Sequence, residues 1–242
     1  STNAPGAVLN SPAGTYWTQE SSVGLRGGWG SLTLGRQMTA ALLPQLLVDP
    51  WFWDNTTNGF AAGTGYIGNL WYNDAATYAY DAGAFSFTAQ VAAKDANPGW
   101  SGTPHKTPYS FALGYAPGPW QLRFGYEKPA DGRSKLATLF GGYDFGAFTL
   151  NAMVAGGTDH TDASVRTWAL SSVVPVGTGQ FRTSFGNYKR ADVVASQKLA
   201  LGYHHFLSKR TSVYTTFAHD SKAPARKSGL NAPTSKTKRP AT

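Results

Sequence analysis

The chain has 242 residues, of which 41 % are apolar and only 14 % charged, against about 25 % charged in ordinary soluble domains, so a water-facing surface would be hard to cover. The absence of cysteine excludes a disulfide scaffold and a thiolate metal site, and no apolar run reaches the roughly 18 residues of a membrane helix. The net charge of +8 does not argue for nucleic acid, because Lys222, Arg226, Lys227, Lys236, Lys238 and Arg239 crowd into an acid-free stretch that reads as a solvated basic tail over 222–242.

Period-2 alternation recurs in segments of about ten residues, the pattern of strands with one apolar and one polar face. In chain order it predicts twelve strands, near 16–27, 31–37, 71–80, 85–94, 107–116, 119–128, 134–144, 147–156, 164–174, 179–190, 194–205 and 211–221. In the first, Val23 and Leu25 oppose Glu20, Ser22, Gly24 and Arg26; in the second, Arg36 shares the parity of Leu32 and Leu34. A 33-residue connection over 38–70 follows, too long for an idle link in a compact fold. Its opening run, MTAALLPQLLVDPWFWD (residues 38–54), is too apolar for water and is expected to pack inside the fold; Asp49 and Asp54 are its acids.

Farther along, Phe85, Phe87, Ala89 and Val91 alternate with Ser86, Thr88, Gln90 and Ala92, and Tyr109, Phe111, Leu113 and Tyr115 with Ser110, Ala112 and Gly114. Trp120, Leu122, Phe124 and Tyr126 then alternate with Gln121, Arg123, Gly125 and Glu127, and Phe148, Leu150, Ala152 and Val154 with Thr149, Asn151 and Met153. Short connectors such as 27–30, 81–84, 117–118, 143–146, 175–179 and 206–210 take turns with mostly longer ones. In an up-and-down barrel alternate connections lie at opposite ends, so this asymmetry implies an all-β, antiparallel, up-and-down transmembrane β-barrel forming a single domain over 1–242. Aromatics near strand ends, including Tyr72, Trp120, Tyr126, Tyr143, Trp168, Tyr188 and Tyr203, suit a lipid-headgroup girdle.

Other motifs carry little chemistry. The GxGxxG pattern at 63–68 lacks a feeding strand and a following helix. Asp159, His160 and Asp162 read as a solvated loop, and the adjacent His204 and His205 face opposite sides of a strand and do not chelate together. No catalytic residue, metal site or cofactor site is expected.

The segment ESSVGLRGGWGSLTLGRQ (residues 20–37) resembles a hairpin of Gram-negative general porins, particularly of the beta-proteobacterial type. The run LALGYHHFLSKRTSVY (residues 199–214) resembles a second hairpin of that family. The resemblance implies an outer-membrane homotrimer of sixteen-stranded barrels, in contact with membrane lipid and lipopolysaccharide and passing small hydrophilic solutes. By its counting, the hairpin at 20–37 is strands four and five, three strands precede residue 16 and one follows 221, so a piece of a barrel is expected. The connection 38–70 then corresponds to the third external loop, which folds into the pore and constricts it, with Asp49 and Asp54 facing a basic wall. Arg36 corresponds to an arginine at the trimer interface. Some members of the family have, in a cationic ladder, an arginine where Glu20 or Gln19 stands here, so either the ladder is weaker in this chain or Arg26, Lys106 and Arg182 substitute for it.

Strand parity turns Arg26, Arg123, Arg182, Lys198 and Lys94 toward the lumen, with Lys106 just before its strand and Glu20 and Glu127 as the inward acids. A lumen richer in bases favours small anions. Two other classes of function stay open at this point: an outer-membrane phospholipase, whose barrel has twelve strands, and a soluble carbohydrate-binding β-sandwich.

Overall fold

The computed structural model describes residues 20–52, 70–97 and 102–222. Among them are β1 (Ser21–Gly27), β2 (Gly30–Met38), a 3-10 turn (Ala40–Leu42), α1 (Leu43–Val48), β3 (Trp71–Ala82), β4 (Phe85–Ala92), β5 (Tyr109–Tyr115), β6 (Trp120–Lys128) and β7 (Lys135–Asp144). They continue with β8 (Thr149–Thr158), β9 (Ser164–Val176), β10 (Gly179–Arg190), β11 (Val193–Ser208) and β12 (Thr211–Asp220). The strands form one sheet in sequence order, β1 to β12, each antiparallel to the next. That is an up-and-down meander, not two packed sheets. No described helix is long and apolar enough to cross a membrane.

Tight turns close one end. Gly83 and Gly177 hold left-handed φ of 63° and 57° in the β3–β4 and β9–β10 turns, where a residue with a Cβ would be strained and the right-handed strand twist calls for such a turn. The β11–β12 turn is shorter than alternation predicts, because β11 runs on to Ser208 through an irregularity between Phe206 and Ser208. A bulge absorbs the extra residue and lets pairing continue.

At the other end β4 stops at Ala92, two residues before the predicted end at Lys94. The chain there leaves the ladder to cover β3: the Ala93 amide donates to the Asp74 carbonyl at 3.1 Å, and the Asn97 side chain donates to the Asn73 carbonyl at 2.7 Å. Asp74 takes a φ of 46° to present that carbonyl.

The two faces of the sheet differ as period 2 requires. Val23, Leu25, Phe85, Phe87, Trp120, Leu122, Leu199 and Leu201 are exposed on one face, Val23 by 74 %. The other face meets the 39–52 segment and holds the buried side chains Gln90, Ser110, Thr138, Phe140, Met153, Ala169 and Ser171. A large apolar surface outside and a mixed, partly covered surface inside is the reverse of a soluble domain, and lipid is the solvent that suits the outside.

Candidate functional site

The inward face is organised by the segment after β2. Its start is fixed by polar pegs: the Ala40 amide donates to Gln90 Oε1 at 3.3 Å and to Ser110 Oγ at 3.1 Å, and the Thr39 amide to the Leu70 carbonyl at 3.1 Å. Its apolar residues then drop into the wall. Leu42 packs against Leu136, and Val48 against Phe140, Met153 and Ala169. Gly125 permits the close approach, since a Cβ there would stand 2.9 Å from the Ala41 carbonyl oxygen and 3.2 Å from Pro44 Cγ. Past α1, Asp49 Oδ1 accepts from the Trp51 amide at 3.0 Å, and Arg182 Nη1 donates to the Pro50 carbonyl at 2.8 Å. The segment therefore crosses the inward face from β4 to β10, and beside residues 47–52 it leaves a cavity of about 400 Å³ with Gln121, Asn151, Gln180 and Arg182 on its walls.

Arg26, Arg123, Arg182 and Lys198 all lie on this face. Arg123 donates to Ser86 Oγ at 2.7 Å, and Lys198 feels the carboxylates of Asp49 and Asp220, the latter its cross-strand partner. Arg26 approaches Asp81 at 4.0 Å, both well exposed. Glu20 sits before β1 and accepts from Ser22 at 2.9 Å. Glu127 is fully buried and accepts from the Tyr72 hydroxyl at 2.8 Å. Lys94 and Lys106 are on connections instead of strands; the Lys94 carbonyl meets His105 Nε2 at 2.6 Å, and the Lys106 amide donates to the Ala130 carbonyl at 2.8 Å. Alternation therefore does not orient Lys94, which corrects its assignment to a strand. Asp54 lies outside the described residues, as does the tail beyond Lys222. Arg36 is on the outward side yet only 8 % exposed, its guanidinium 5.5 Å from the Trp71 ring centre and bonded to Asn73.

Sequence reasoning missed three inward acids. Asp81, Asp144 and Asp220 share the parity of Ser86, Gly142 and Lys198 and lie on the inward face near strand ends. The register that reveals them depends on pairing between strands, although the alternation Thr77, Ala79, Asp81 is visible in the chain.

The loop at 159–162 is also more ordered than a solvated turn. Asp159 is buried and accepts from Arg190 Nε at 2.6 Å, from Thr161 Oγ1 at 2.7 Å and from the Thr161 and Ala163 amides at 2.8 and 3.1 Å. Burial pushes its pKa up, but the bonds from Thr161, Arg190 and Ala163 outweigh it and hold the carboxyl below its usual value. Among the described residues no cluster of acids and histidines has the makings of a metal site.

Comparison with known proteins agrees with this architecture. An anion-selective porin from Comamonas acidovorans superposes with a TM-score of 0.66 at 20 % identity, over 84 % of this chain and 67 % of that one. A further porin gives 0.65 at 18 % identity, over 85 % and 76 %, and Salmonella typhi OmpF in complex with daunomycin gives 0.67 at 13 %, over 82 % and 69 %. At these identities the likeness is one of fold. None of the curated protein sequences matches the chain. The sequence profile of the Gram-negative porin family, however, matches residues 4–223, nearly the whole length, and the chain therefore belongs to that family, as an outer-membrane β-barrel of the channel-forming kind.

Proposed function

We propose that the channel passes small hydrophilic solutes by diffusion and prefers anions to cations, with residues 38–70 narrowing the lumen and no covalent chemistry on the way. The observation that carries the ion preference is the balance of inward charges left after burial. Arg26, Arg123, Arg182 and Lys198 face inward, and the register sets one inward aspartate in the row of each of the last three, Asp81 with Arg123, Asp144 with Arg182 and Asp220 with Lys198. Asp49, the acid of the segment, is 1 % exposed, and Glu127 is fully buried. Four inward bases thus stand against three inward strand aspartates. One fixed charge about 4 Å away contributes about 1 kcal/mol even in bulk water, and salt screens the rest of its reach.

The reversal potential in planar bilayers under a KCl gradient tests this. The expected parent value lies on the chloride side, and Arg123→Gln/Arg182→Gln moves it toward zero. Potassium preference in the parent, or no movement in the variant, overturns the reading.

Assembly as a homotrimer is the second part of the proposal. Its support is family membership, together with the outward apolar surface around Val23, Leu25, Leu32 and Leu34 next to Arg36. Unheated protein should migrate in gel electrophoresis at three times the chain mass, and a monomer there speaks against it.

A further inference from the structure

We infer that the cavity beside residues 47–52 is a station where the channel holds a small neutral saccharide, gripped by amide side chains and an aromatic ring and not by charge. The inference rests on the reading of the protein as a diffusion channel and names a solute class for it.

The cavity lies at the tight-turn end of the inward face, among residues close to the ends of β6, β7, β8 and β10. Register sets Gln121, Gly142 and Asn151 in one inward row across β6, β7 and β8. Neighbouring strands are about 4.8 Å apart, so the two amides rise from backbones roughly 10 Å apart. Gly142 keeps the space between them open: a Cβ there would stand 2.6 Å from Asn151 Oδ1 and 3.1 Å from Phe140 Cζ. Neither Gln121 nor Asn151 makes a side-chain hydrogen bond among the described residues. Each amide offers donors and an acceptor together, and at both positions these are unused.

The charged groups of the same wall are engaged or balanced. Arg182 donates through Nη1 to the Pro50 carbonyl at 2.8 Å and through Nε to the Gln180 amide oxygen at 2.8 Å. That arrangement leaves the Gln180 NH2 group as a further donor. Asp49 is 1 % exposed, and Asp144 accepts from the Gly146 amide at 2.8 Å. Two carboxylates beside one guanidinium give a free anion no advantage here. A solute recognised at this wall must donate and accept hydrogen bonds without a net charge.

Phe52 supplies the apolar contribution. Its side chain borders the cavity and is 64 % exposed, and its backbone holds a left-handed φ of 49° as its amide donates to the Asp49 carbonyl at 3.0 Å. Bulky residues rarely take that conformation, and such outliers gather at ligand clamps. Burial of the ring accounts for neither the exposure nor the strain. A pyranose suits both parts of the site: its hydroxyls donate and accept around the rim, and its C–H face lies against an aromatic ring. At about 400 Å³ the space is of the size that small-molecule sites occupy.

Solute block of the ion current in planar bilayers tests this, using protein purified from outer membranes. Glucose, gluconate, adenosine and a polyethylene glycol of glucose's hydrodynamic size serve as separate probes. Glucose should reduce the open-channel current saturably, while the glycol reduces it only in proportion to its concentration. Gln121→Leu/Asn151→Leu should raise the half-blocking glucose concentration roughly tenfold. Phe52→Leu should raise it about threefold, and Phe52→Trp, which keeps a ring, should not. Thr88→Val, a polar group lost from the inward face of β4, should block as the parent does. Equal half-blocking concentrations in the parent and Gln121→Leu/Asn151→Leu overturn the inference. So does saturable block by gluconate or adenosine at lower concentration than glucose, or block by the glycol that matches glucose. A gel shift between heated and unheated samples verifies that each variant is folded. Absence of KCl conductance in the parent would count against the channel reading, whereas normal conductance without saturable glucose block sinks the saccharide station alone.

Discussion

Asp159 shows how one side chain organises a surface connection. Four hydrogens, from the Thr161 amide and hydroxyl, the Ala163 amide and Arg190 Nε, reach for a carboxylate that the chain has removed from water, while Arg190 Nη2 donates to the Thr161 hydroxyl at 2.9 Å and closes the ring around it. Because the folded carboxyl titrates below the usual 3.8, the arrangement stabilises the folded state throughout neutral pH. That contribution disappears as pH falls below the ordinary carboxylate range and through the lowered folded value. Asp159→Ala is expected to loosen residues 158–163 by about 1–2 kcal/mol at pH 7, the lower part of that range because Arg190 is half exposed. Hydrogen exchange at the Thr161 and Ala163 amides reads the change, and the difference between parent and variant should shrink in acid; an undiminished difference there contradicts the assignment. The spacing of Asp159 and Thr161 is visible in the chain, but Arg190 is 31 positions away. Only the β9–β10 pairing brings it to the carboxylate.

The segment from the 3-10 turn to Phe52 is the element with the most leverage on transport. Two kinds of contact seat it, polar at Gln90 and Ser110 and apolar around Val48, which is 1 % exposed between Phe140, Met153 and Ala169. An ionised carboxylate has no partner in that nook and costs several kcal/mol to bury. Val48→Asp should therefore release α1 from β7–β9 while leaving the sheet intact, and single-channel conductance should rise as the lumen opens. Unchanged conductance would mean that the segment does not narrow the channel. Its inward placement follows from apolar content alone. The contacts do not, because Gln90, Ser110 and Gly125 belong to three strands whose register the segment itself cannot specify. The β4–β5 connection is the reverse case: Lys94 keeps the parity of its strand on paper, yet the chain leaves the ladder at Ala92 to satisfy backbone groups of β3.

At the scale of the whole molecule, the two faces of one sheet work in different solvents. Leu170, at the middle of β9, is exposed on the outward face, and Asn151 is half-buried on the wall of the inward cavity. An arginine at a lipid-facing midplane position costs roughly 2–4 kcal/mol, while lumen substitutions chiefly tune selectivity. Leu170→Arg should lose about that much in urea titrations of folding into lipid vesicles, and Asn151→Arg much less, with a shift of reversal potential toward anions. Equal losses for the two would mean that the faces are not divided between lipid and water.

Alternation by itself determined which side chains share a face, because successive Cβ atoms of a strand must point to opposite sides, and connector length determined which end carries the tight turns. Those local constraints are enough for Val23, Leu25, Phe85 and Trp120 to declare the outside and Arg123, Arg182 and Lys198 the inside. What only the tertiary structure decided is everything that depends on register between strands. The row of Gln121, Gly142 and Asn151, the closure of Arg190 on Asp159, the seat of Val48 among three strands and the inward place of Asp81 and Asp220 each join residues from different strands. A single strand has no information about its partner's offset; hydrogen-bond pairing across the sheet supplies it.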